Sequence, residues 1–105
     1  MSSQRPLAAQ RIYQYLGFPI GPIDVLVTVE VPVEHEEHHW ACQFHVGPPL
    51  GGSYTIHGVD SVQALLGAFT ILRVMLEADG DFRYFGTRNL ALTTNRKRKR
   101  RRARV

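Results

Sequence analysis

The sequence predicts an α+β fold: an antiparallel three- to four-stranded meander packed on one long C-terminal helix, about residues 61–79. Three observations carry this. Ile23, Val25, Val27, Val29, Val31 and Val33 place β-branched residues at every odd position, the period of two that marks a half-buried strand. The alternation resumes with Trp40, Cys42, Phe44 and Val46 after a polar patch, Glu34 to His39. From Val62 to Leu76 the chain is apolar around most of a helical wheel, with Gln63, Thr70, Arg73 and Glu77 confined to one narrow arc.

Residues 8 to 16 fit a helix by the spacing of Ala8, Ile12, Tyr15 and Leu16, and a strand by the alternating Tyr13 and Tyr15. The strand is preferred, turned into the valine strand by the Gly- and Pro-rich residues 17 to 22. The valine strand and the Trp40 strand then pair as a hairpin, with all six odd-position residues facing the helix. The loop Gly47 to Gly52 separates them from a short strand bearing Tyr54 and Ile56 on one side. Asp60, with Gln63 three residues on, has the spacing of a helix N-cap, and Gly80 marks the helix end. Phe82 to Phe85 are long enough only for a terminal strand or an apolar flap, and from Thr87 onward pattern fades.

Length allows one domain, residues 1–95, followed by a disordered basic tail, 96–105. Arg96, Lys97, Arg98, Lys99, Arg100, Arg101, Arg102 and Arg104 hold 8 of the 13 basic residues. The body before them has 5 basic and 9 acidic residues, a net charge of −4, so the overall pI near 9.7 reflects the tail. Each of these cations can neutralise one phosphate, which makes the tail a polyanion-binding candidate, for nucleic acid or another polyanion. The single cysteine, Cys42, cannot form an internal disulfide, and the N-terminus lacks an apolar leader, so a cytoplasmic setting is expected. The apolar stretch Val62 to Leu76 is interrupted and shorter than the roughly 20 residues of a bilayer span, so no transmembrane segment is expected.

Trp40, Ala41 and Cys42, followed 16 residues after the cysteine by Gly58, Val59, Asp60, Ser61, Val62, Gln63, Ala64 and Leu65, carry a resemblance. Over about residues 8 to 86 the chain resembles a family of small bacterial domains of unknown function. In that family a Trp-x-Cys strand precedes a Gly-Val-Asp-Ser-x-Gln-Ala-Leu helix start. The resemblance implies a strand-rich N-terminal half with one long helix, and brings no catalytic residues.

His35, Glu36 and His39 match the His-Glu-x-x-His pattern of zinc hydrolases, which needs both histidines on one helical turn. Placed between two strands, the match reads instead as a hairpin loop, with His35, His38 and His39 as candidates for adventitious metal binding. Cys42 alternates onto the apolar face with Trp40 and Phe44, opposite His45, and reads as core rather than nucleophile. The order helix, three strands, helix would resemble a double-stranded RNA-binding domain if residues 8–16 were helical. The acidic start Asp60 to Gln63 and the −4 body oppose it. The expectation is therefore a noncatalytic interaction module with no cofactor and no metal, and with a polyanion-binding tail. A homo-oligomer is expected through helix 61–79, on its flank of small residues Ala64, Gly67 and Ala68. A nucleic-acid-binding accessory protein acting through the tail is the alternative, and a metal-dependent hydrolase the third reading.

Overall fold

The computed structural model describes residues 6–92; the basic tail of residues 96–105 lies outside them. The elements run β1 (Leu7–Tyr15), β2 (Ile23–Glu30), β3 (Val33–Glu36), β4 (His39–Val46), β5 (Gly52–Gly58), α1 (Ser61–Asp79) and β6 (Phe82–Arg83). All strands join one antiparallel sheet in the order β3-β4-β2-β1-β6, with β5 on the other side of β4. The α+β class and the helix bounds stand, and residues 8–16 are strand. Two expectations need correction. The sheet has six strand segments rather than three or four, and α1 is followed by β6 and by residues that enter the core.

One extra strand comes from Pro32. Val27, Thr28 and Val29 pair with Val46, His45 and Phe44, whereas Val33 already pairs with Ala41. Val31 and Pro32 therefore stand opposite Cys42 alone, a one-residue bulge at a residue that has no N–H for the ladder. An extra residue reverses the facing of every strand position after it. Val25, Val27 and Val29 are buried on the helix side, but Val31 and Val33 are 42% and 39% exposed. The last two odd-position valines thus do not face the helix.

The hairpin turn is Glu37 and His38, with His38 in the left-handed region at φ 60° and Glu36 paired with His39. Asp60 caps α1 by accepting from the Gln63 backbone N–H at 2.7 Å, and Gln63 Oε1 reaches back to the Val59 N–H at 2.8 Å. The helix closes at Gly80, whose φ of 87° suits a residue without a Cβ.

α1 lies over β4 and β5, touching them far more than β1 and β2. Ala64, Ala68, Leu72 and Leu76 meet Cys42, Phe44 and Val46 in the core. The small residues at 64 and 68 let the helix come close to the sheet. That contact consumes the flank on which oligomerisation was expected, since both alanines are 0% exposed. The inner face of β1 is covered by residues beyond the helix. Tyr84 packs on Tyr13, Phe82 on Tyr15, and the Tyr13 hydroxyl donates to the Leu90 carbonyl at 2.9 Å. Leu90 is itself buried, and Leu92 packs against the same core.

The β5–α1 junction gives a direct test of this packing. A Cβ at position 58 would lie 2.6 Å from the Ala64 backbone nitrogen, and backbone cannot yield as a side chain does. Gly58→Ala is expected to cost about 2 kcal/mol or more in urea unfolding, in the range of core overpacking.

Candidate functional site

The face of the sheet turned away from α1 is uncovered, and it collects most of the chain's imidazoles. His35 lies in β3, His39 and His45 in β4, and His57 in β5. His39 Nε2 is 3.2 Å from His57 Nδ1, and the His35 and His39 rings are 5.8 Å apart. Of the three metal candidates, His38 lies in the turn beside Glu37, away from this pair. The His-Glu-x-x-His match is split across the hairpin, so its two histidines never share a helical turn. Among the described residues no group of three or more His, Cys, Asp or Glu converges to hold a metal ion.

A second constellation was not legible in the sequence. His45 Nε2 is 2.6 Å from Glu30 Oε2, and its Nδ1 is 2.6 Å from Ser53 Oγ. The Glu30 side chain is 12% exposed and that of His45 35%, so a nearly buried carboxylate orients a half-covered imidazole towards an exposed hydroxyl. The order is that of a nucleophile and its base. Acyl transfer also needs donors aimed at a developing oxyanion. The bonds here link side chains of β2, β4 and β5, and the arrangement works as a polar clasp.

Cys42 is fully buried and its thiol donates to the Glu30 carbonyl at 3.3 Å. Burial, reinforced by the Glu30 charge, pushes its pKa up, the opposite of what a reactive thiolate needs. It is a core residue, as the alternation in β4 predicts.

A depression of about 300 Å³ lies between β1, β2 and α1. Ala9, Val27, Phe69, Leu72 and Leu92 line it, with Arg11 at its edge. Arg11 is committed elsewhere: it donates to the Leu90 and Ala91 carbonyls at 3.0 and 2.8 Å and lies over the Tyr84 ring. It ties the chain after α1 to β1.

The other open surface is on α1. By length and composition this helix could cross a bilayer, yet its buried residues pack on the sheet and an Arg73–Glu77 ion pair at 3.2 Å crosses its exposed side. Val62 and Leu66 stand exposed on the flank towards β2, and Ile71 and Val74 on the flank towards β5. Gly67 fixes the second assignment, because a Cβ there would lie 2.9 Å from Ile56 of β5. The eight basic residues of the tail lie outside the described residues.

The model of a family described as a domain of unknown function (DUF6968) matches residues 9–99. No curated protein and no solved structure matches the chain.

The two buried titratable groups set an alkaline limit. Cys42 and Tyr13 both have raised pKa values, chiefly through burial; for Tyr13 the Arg11 guanidinium opposes the shift. The unfolded chain therefore releases these protons first. Stability held at neutral pH should fall as pH rises past the ordinary thiol value of about 8.5 and further past the phenol value of about 10. A urea midpoint lower at pH 10.5 than at pH 7.5, with no native-state alkylation of Cys42 at pH 8, is the expected result.

Proposed function

We propose that this chain, which belongs to the DUF6968 family of domains of unknown function, is a noncatalytic interaction module that self-associates and carries a polyanion-binding tail. The observation that supports self-association is the apolar flank of α1 beside β5, where Ile71 and Val74 remain 40% and 49% exposed. Burying the exposed half of each side chain in a partner's matching flank gains on the order of 1 kcal/mol each. This flank replaces the Ala64 and Ala68 surface, which the sheet occupies. The buried free thiol of Cys42 fits the reducing cytoplasm proposed for the protein.

The tail reading rests on charge alone: 8 cations in nine positions, attached to a body of opposite sign. Its contacts would be with phosphates and indifferent to base sequence. A nucleic-acid accessory role is the alternative form of this reading, and it requires more than salt-dependent adhesion. The hydrolase reading loses its support with the hairpin placement of His35 and His39.

Light scattering on the full chain should give twice the monomer mass at about 100 µM, a concentration that populates dimers of micromolar Kd. Val74→Glu, at an exposed position, should return it to the monomer with unchanged circular dichroism. A strict monomer in the unsubstituted chain refutes self-association. For the tail, the full chain should bind duplex DNA with a log–log salt slope of up to about −7, and a chain ending at Asn95 should lose that binding. Equal affinity of the two chains refutes the tail reading.

A further inference from the structure

We propose that the partner is a second copy of this chain joined through the free edge of β5, on a two-fold axis passing at Thr55, so that one antiparallel sheet runs through both copies. This rests on the self-association reading above and gives it a geometry.

β5 is paired along its whole length on one side only. Seven consecutive pairs, from Val46 with Gly52 to Trp40 with Gly58, join it to β4 without a register shift. Among the described residues no strand pairs with its other side. Natural sheets blunt such an edge with short strands, bulges, prolines or charges, above all lysine. The rest of this sheet follows that practice. β3 is four residues long, irregular between Glu34 and Glu36, and carries both glutamates. At the opposite end β6 has two residues, one of them Arg83. β5 uses none of these devices: Gly52, Ser53, Tyr54, Thr55, Ile56, His57 and Gly58 pair with β4 in unbroken register and include no proline, no lysine and no carboxylate.

The strand is complementary to itself in reverse. With Thr55 on the axis, Ser53 stands opposite the second copy's His57, a hydroxyl facing an imidazole, on the uncovered face. Tyr54 stands opposite the second copy's Ile56 on the helix side, an aromatic with a β-branched residue, the kind of cross-strand pair that stabilises antiparallel sheets. No like charges meet. The helix side adds a second layer, because α1 lies against Ile56 at Gly67, and the exposed Ile71 and Val74 follow Gly67 along the same stripe of the helix. The axis that joins the strands therefore turns these flanks towards each other. A foreign peptide would find the same backbone groups, but the matching flank over the strand is a feature of this chain.

Single cysteines decide the geometry. Residues directly opposite across an antiparallel pair have Cβ atoms about 4.5–5.5 Å apart, so a small approach of the strands brings paired cysteines to disulfide geometry. Thr55→Cys in the full chain should oxidise to a covalent dimer in high yield. Ser53→Cys and His57→Cys should do so only when combined in one chain, because each faces the other and not itself. Thr55→Lys, which puts two ammonium groups on the axis, should weaken dimerisation at least tenfold with circular dichroism unchanged. Hydrogen exchange on the unsubstituted chain supplies a readout free of substitutions. Amides of residues 52–58 should gain protection as concentration rises through the dimer transition. A dimer that leaves Thr55→Cys uncrosslinked and those amides unprotected overturns the β5 interface while self-association stands. A monomer in light scattering overturns both, including the case where β5 captures an extended peptide instead.

Discussion

Pairing of β4 along both of its edges is the constraint on which the remaining structure depends. One edge takes β5 in unbroken register; the other is divided between β3 and β2. With its backbone groups thus engaged, β4 can be central and dry. Cys42 and Phe44 are 0% exposed, a condition that hydrogen-bonded backbone permits and unpaired backbone would forbid. The inward residues of β4 form the floor for α1, and the alanines at 64 and 68 set how near the helix comes. On the β1 side residues 82–92 return over the sheet, held by Tyr13 and Arg11.

Much of this order is legible in sequence because β-pairing and helix burial impose simple periods. The strands before and after the hairpin, the Asp60 cap and the Gly80 stop all leave local marks. The break at Pro32 leaves an ambiguous one. Val31 and Val33 are as apolar as the valines before them, so the odd-position pattern continues while the facing reverses. Composition and facing part company when an outward position is left apolar. Leu90 poses the converse case, since Leu90 and Leu92 form too short an alternation, outside any regular strand, to stand out as core. The link from Glu30 to His45 to Ser53 was beyond sequence for another reason. It depends on the registers of three strands at once, and each register is fixed by contacts distant in the chain.

The functional surfaces divide along the same line. Cys42 is buried in the core, His35 and His39 are parted by a turn, and Ser53 stands exposed at the end of a link from Glu30 through His45. Among the described residues the outer edge of β5 has no strand beside it, and apolar side chains stand exposed on α1. The histidines are spread over strands and, among the described residues, do not converge as a ligand set.

The bulge at Val31 and Pro32 separates the hairpin from the rest of the sheet as a unit of variation. Because the facing of β3 is set by one inserted residue and not by the buried valines, changes of length or composition between Val31 and His38 alter the hairpin without shifting Val25, Val27 or Val29 in the core. The chain can therefore revise the chemistry of one corner, including its cluster of glutamates and histidines, while its interior stays the same. Such a joint gives a domain of this size a surface free to diverge on an interior that is not.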